Sequence, residues 1–107
     1  MKRVGFQMKV KQEVIPEYKE WHQKVWPEML GALRKHGWRN YSLFMRPDGL
    51  MFGYVEVAES FEKSLEGMAS EEINSKWQEL MAPYFEIPEG SFADQNMIEL
   101  EEVFHTD

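Results

Sequence analysis

A chain of 107 residues holds one domain, residues 1–107, with room for a buried core and none for a second unit of ordinary size. Hydrophobic residues at 43%, aromatics at 14% and charged residues at 29% exclude disorder as the main state. Twelve basic against nineteen acidic side chains give a net charge of −7, the wrong sign for a nucleic-acid or anionic-membrane partner, and the lack of cysteine removes disulfides, thiol nucleophiles and cysteine-ligated zinc.

The first residues carry charge up to Lys9 with no apolar run behind them, unlike a secretory leader, and no later stretch nears the roughly 20 apolar residues of a membrane helix. The expected location is the cytoplasm. Val4, Phe6, Met8 and Val10 alternate with Gly5, Gln7 and Lys9, the period of a half-buried strand. From about Val14 the period lengthens, and Tyr18, Trp21, His22, Val25 and Trp26 share one helical face. Pro16 suits a first turn, whereas Pro27 lacks a donor and predicts a kink or a restart. Met29, Leu30 and Leu33 continue the stripe, and His36-Gly37 reads as its C-terminal end. Two strand-like runs, Asn40–Met45 and Leu50–Val57, flank the turn sequence Arg46-Pro47-Asp48-Gly49 and predict an antiparallel hairpin. Ser60 is placed to cap a helix over 61–68, and Ser70 a second one with Ile73, Trp77, Leu80 and Met81 as its stripe. Residues 86–95 read as a loop, and Ile98, Leu100 and Phe104, with Val103 on the other face, as a last strand. The order β-α-β-β-α-β is that of an α+β, ferredoxin-like split βαβ fold. Such a sheet carries helices on one face only, so a homodimer covering the other is expected.

Candidates for chemistry are few. There is no Gly-x-Ser-x-Gly turn and no phosphate-cradling glycine loop. His22, His36 and His105 lie on different elements without metal-ligand spacing, so no metal site is expected. Proton chemistry is the class left. His22 stands one turn beyond Tyr18 on the same face, and histidine is the side chain whose ordinary pKa suits proton exchange near neutrality. Taken singly, His22, Tyr18, Tyr41 and Trp77 each fit ordinary helix-face or core positions. Together, four tryptophans and four tyrosines exceed what packing needs, and Trp, Tyr and His around one cavity make a good wall for a sugar. The acidic run Glu99–Glu102 reads as the wet side of a strand.

The runs Glu17-Tyr18…His22…Val25-Trp26-Pro27-Glu28, His36-Gly37…Asn40-Tyr41-Ser42, Lys76-Trp77-Gln78…Met81 and Glu102-Val103-Phe104 resemble, in this order and over nearly the whole chain, the L-rhamnose mutarotases. The resemblance implies a dimeric α/β barrel of the ferredoxin-like type that interconverts the α and β anomers of L-rhamnose, or a related 6-deoxy sugar, without a cofactor. It implies that His22 donates a proton, that Tyr18 and Tyr41 contact substrate, and that Trp77 lies in the sugar pocket rather than the core. Some family members carry a second tryptophan where this chain has Gln78, so the sugar contact at Gln78 differs. The end His105-Thr106-Asp107 also lacks the apolar residue expected before the final acid.

Two other readings use the same fold. A haem-degrading or quinol-oxidising monooxygenase would place a histidine on haem iron. A non-catalytic sugar sensor would bind without speeding anomer exchange.

Overall fold

The computed structural model describes residues 1–107. Apolar-polar alternation forms strand β1 (Lys2–Lys9), which buries Val4, Phe6 and Met8 on one face and turns Gly5, Gln7 and Lys9 to the other. A 3-10 turn over Gln12–Val14 leads into helix α1 (Ile15–His22). Pro27 does not kink this helix. It ends at His22, and a new helix, α2 (Pro27–Lys35), starts with the proline at its first residue, where the missing N–H costs nothing. Gly37, at φ +79°, closes α2 in the left-handed conformation expected of it.

Strands β2 (Arg39–Met45) and β3 (Leu50–Val57) form the hairpin, followed by helices α3 (Phe61–Ala69) and α4 (Glu72–Met81) and the short strand β4 (Ile98–Leu100). The sheet order is β2-β3-β1-β4 with every pairing antiparallel, the ferredoxin-like topology, each crossover being broken into two helices. Helices cover one face. Beneath them Phe6 is fully buried and stacks on Phe61 with ring centroids 5.1 Å apart. Gly53 faces Phe6 across the β1–β3 ladder, and a Cβ there would intrude on the Phe6 ring.

Two expectations are corrected. Ser60 caps α3 as predicted, its Oγ accepting from Lys63 N at 3.1 Å, but Ser70 does not cap α4. Ser70 closes α3 instead, donating to the Gly67 carbonyl at 2.6 Å, because α3 runs one residue further than its stripe implied. Glu71 takes the cap position of α4, and its carboxylate is drawn to His36 Nε2 at 2.7 Å and Lys35 Nζ at 3.1 Å. The last strand is also shorter than predicted, since pairing stops at Leu100. Beyond it β1 has almost run out. The Arg3–Glu102 ion pair, 2.9 Å, holds the register for one further step, and Val103 and Phe104 are left exposed.

The helix-free face is strongly apolar. One row across the sheet reads Phe44, Phe52, Gln7, Ile98, and the next reads Ser42, Tyr54, Gly5, Leu100. Phe44, Phe52, Ile98 and Leu100 are all exposed in the single chain.

Gly53→Ala should lower stability by about 1–3 kcal/mol, the usual cost of forcing atoms into a filled core. A urea titration followed by tryptophan fluorescence measures it, and a midpoint equal to the parent's would mean that Phe6 has room to move.

Candidate functional site

Between the helical layer and the covered sheet face lies a cavity of about 310 Å³, with a smaller one of about 50 Å³ beside it. The two share His22, Tyr41, Leu43, Trp77, Gln78 and Met97 as walls. All five sequence-predicted site residues therefore meet here, and Tyr18 lines the inner chamber alone among them. The larger volume is at the small end of ligand sites, ~300–1,000 Å³, which suits a monosaccharide.

His22 is the last residue of α1, beside the break before Pro27. Its Nδ1–H donates to the Tyr18 carbonyl at 2.9 Å, since a carbonyl can only accept. That fixes the tautomer and leaves Nε2 as the ring nitrogen without a protein partner. The imidazole stacks on the Tyr18 ring, centroids 4.1 Å apart, and meets Trp77 edge-on at 5.5 Å. Burial pushes the His22 pKa down, and the bond to the Tyr18 carbonyl only partly opposes this. At neutral pH the ring is uncharged, with an Nε2 lone pair at the cavity wall.

Tyr18 is 4% exposed, and its hydroxyl donates to the Met51 thioether at 3.5 Å, a weak acceptor that leaves the oxygen lone pairs unused. Burial drives both the Tyr18 and the Tyr41 phenols well above their ordinary value, so both remain protonated. Tyr41 reaches the site through a local irregularity. Asn40 adopts φ +47°, and the β2–β3 register shifts between Arg39 and Ser42. The bulge sets the Tyr41 ring among Trp38 and Phe6, with centroids 5.0 and 6.1 Å away. No protein group hydrogen-bonds the Tyr41 hydroxyl, and no polar side-chain atom is sealed away unsatisfied, so this hydroxyl is open to a ligand.

Trp77 was expected in the pocket rather than the core, and it occupies both. It is only 6% exposed, and Trp21 and Trp26 meet it edge-on at 6.3 and 5.1 Å. It is at once a wall of the cavity and the anchor of α4. Gln78, where a tryptophan was the alternative, is buried and tied at both ends of its amide. Nε2 donates to Asn74 Oδ1 at 3.3 Å, and Oε1 accepts from the Asp94 backbone N–H at 3.3 Å. Asn74 in turn donates to Asp94 Oδ2 at 3.0 Å.

Asn74, Asp94 and Met97 line the larger cavity, and sequence reasoning missed them. Asn74 left a signal, a polar residue one turn before Gln78 on a buried stripe. Asp94 left none, because only the fold brings the 86–97 loop back over α4. The other histidines are elsewhere: His36 pairs with Glu71, and His105 is in the exposed tail beside Asp107. No three His, Asp or Glu side chains converge as metal ligands, and no helix is long and apolar enough to cross a membrane.

Comparison with known proteins gives one answer throughout. A family model described as L-rhamnose mutarotase matches residues 3–106. The L-rhamnose mutarotase of Oceanobacillus iheyensis is 38% identical over 110 residues, and that of Bacillus subtilis 37% over 108, each alignment covering 100% of both chains. The crystal structure of L-rhamnose mutarotase FA22100 from Formosa agariphila superposes with a TM-score of 0.81 at 29% identity, covering 100% of each chain.

The depressed pKa of His22 has two consequences of known sign. The unfolded chain, with histidine near its ordinary ~6.5, takes up a proton before the folded one does, so this residue's contribution to stability is full above that pH and is lost on acidification. An NMR titration of the ring should give a midpoint below about 6.5. His22→Gln should flatten the fall in stability between pH 7 and 5, and an unaltered slope would show that His22 is not the group responsible.

Proposed function

This chain belongs to the L-rhamnose mutarotase family, whose members are carbohydrate isomerases, and on that premise we propose that it interconverts the α and β anomers of L-rhamnopyranose with His22 as the proton carrier. The observation that carries this reading is the His22 Nδ1–H bond to the Tyr18 carbonyl, which leaves a neutral Nε2 at the wall of a sugar-sized cavity. In its resting form Nε2 is a base. It takes the proton of the anomeric hydroxyl while the bond between the anomeric carbon and the ring oxygen breaks, leaving an aldehyde. The imidazolium then gives that proton to the ring oxygen. Both oxygens sit on the same carbon, so one nitrogen reaches each in turn. Rotation of the aldehyde and the same steps in reverse close the ring on the other face. His22 thus donates, as the family resemblance implies, but only after it has accepted.

Tyr18 holds the imidazole by stacking with its ring and by accepting at its carbonyl, and its side chain lines the smaller cavity. Tyr41 offers a neutral hydroxyl to the sugar, and Trp77 an indole surface for its C–H face or methyl group. The protein's proposed place of work, as the sequence leads one to expect, is the cytoplasm, and its proposed substrate a neutral sugar. The bare apolar rows of the sheet, with Val103 and Phe104 beyond them, fit a homodimer that packs two sheets face to face.

Saturation-transfer NMR on the anomeric protons of L-rhamnose tests the activity. His22→Gln should slow exchange by about 10²–10⁴-fold while sugar affinity stays within a few-fold. Parent-rate exchange in the variant would remove His22 from the mechanism. Binding without any acceleration by the parent protein would favour the sensor reading.

Sedimentation at micromolar concentration should give the mass of two chains, and Phe52→Asp, at the centre of the bare face, the mass of one. A single-chain mass for the parent protein would refute the dimer.

A further inference from the structure

The larger cavity has two kinds of lining. Val25, Leu33, Leu43 and Met97 are apolar, whereas Asn74, Gln78 and Asp94 are polar, joined to one another by hydrogen bonds and without a part in the proton transfer; the same three also border an adjoining hollow of about 340 Å³. Asp94 is the unusual member. It is partly buried on the short 3-10 turn Ala93–Gln95, and no lysine, arginine or histidine pairs with it. Its carboxylate has room for about four hydrogen bonds. The protein supplies one, from Asn74 Nδ2 to Oδ2 at 3.0 Å. A half-buried carboxylate without a cation needs donors, and a carboxylate can only accept.

The turn is built to hold this group still. The Asp94 N–H is anchored on Gln78 Oε1 at 3.3 Å, and Gln95 Oε1 accepts from the Phe92 N–H at 2.9 Å. Asn96 Nδ2 donates to the Phe92 carbonyl at 2.8 Å. Asn74 serves both neighbours, accepting from Gln78 and donating to Asp94, so its amide orientation is fixed and Oδ1 of Asp94 remains free.

We propose that Asp94, oriented by Asn74 and Gln78, is the specificity-determining residue of the site and accepts hydrogen bonds from an adjacent pair of sugar hydroxyls. The inference rests on the sugar-isomerase reading above and deepens it. Two neighbouring hydroxyls on a pyranose present donors at the spacing of one carboxylate, and bonds to a charged acceptor are the stronger kind. With the hydroxyls on these polar groups and the methyl and C–H face on the apolar lining, the anomeric end is left to His22. Sugars that turn one of the two hydroxyls away lose a bond and strand a partly desolvated charge, which is the basis of discrimination.

The test separates binding from chemistry. Asp94→Asn can keep the acceptor facing Asn74 while replacing the free oxygen with a donor. By calorimetry its Kd for L-rhamnose should rise about 10–100-fold, the worth of a hydrogen bond to a charged group. In saturation-transfer NMR its preference for L-rhamnose over L-fucose should shrink. A Kd within two-fold of the parent's would overturn the proposal. The parent protein gives a check that needs no variant to fold: among the 2-, 3- and 4-deoxy derivatives of L-rhamnose, the two that each lack one hydroxyl of the bound adjacent pair should bind at least ten-fold more weakly than L-rhamnose, and equal affinity for all three would also overturn it. If the parent bound L-rhamnose through Asp94 and did not accelerate exchange, the isomerase reading alone would fail.

Discussion

The hydrogen bond from His22 Nδ1 to the Tyr18 carbonyl couples the backbone of this protein to its chemistry. It spans one helical turn, so it exists only because α1 stays helical as far as its last residue. It also decides which nitrogen would carry the proposed proton transfer, since an imidazole that donates through Nδ1 in its neutral form presents a lone pair at Nε2. Pro27 takes part indirectly. It cannot continue a helix from Val25 and Trp26, so the chain breaks after His22 and restarts, and the ring stands at a helix end beside the cavity rather than in mid-helix.

Burial and a backbone hydrogen bond act on this ring in opposite directions. Enclosure by Tyr18 and Trp77 depresses the pKa, which keeps Nε2 free to accept at neutral pH. Under the proposed mechanism, too deep a depression would make the imidazolium hard to form. The carbonyl of Tyr18 limits the effect by bonding Nδ1–H more strongly once the ring is charged. The same aromatic enclosure explains why Trp77 cannot be assigned to pocket or core alone. The indole that excludes water from His22 is the one that Trp21 and Trp26 hold in place.

What could be read from the sequence follows the range of the interactions. Period-two alternation marked β1, and β3 spans the residues its run of strand formers indicated, because neighbours in the chain set which side of a pleat each residue faces. The meeting of Tyr18, His22, Tyr41, Trp77 and Gln78 at one cavity was legible only as a family resemblance, since no spacing rule links α1, β2 and α4. Ser70 misled because serine suits both ends of a helical connection, and which end it serves depends on a single residue of helix length. The last strand was overextended because Val103 and Phe104 have strand-like side chains, whereas strand formation also needs a partner, and β1 ends at Lys2. The bulge at Asn40 had only that residue's tolerance of positive φ as a clue.

Gln78 shows how far one substitution's consequences extend. A tryptophan at this position would offer the cavity an apolar plate and could make no amide bond to the 3-10 turn. Glutamine instead accepts from the Asp94 N–H and donates to Asn74, which in turn donates to the Asp94 carboxylate, so helix and loop become one hydrogen-bonded unit. The amide is buried, and leaving either end unpaired would cost about 1–3 kcal/mol. The turn therefore cannot move away from α4 without breaking two bonds, the one from the Asp94 N–H to Gln78 and the one from Asn74 to the Asp94 carboxylate. A carboxylate held in this way is preorganised: it need not surrender side-chain freedom when sugar arrives, so more of each hydroxyl contact remains to discriminate between substrates. The chain thus trades one stacking surface for a fixed polar group in a cavity whose other lining is mostly apolar. Under the proposed function that mixed lining suits a 6-deoxy sugar, which carries both hydroxyls and a methyl group.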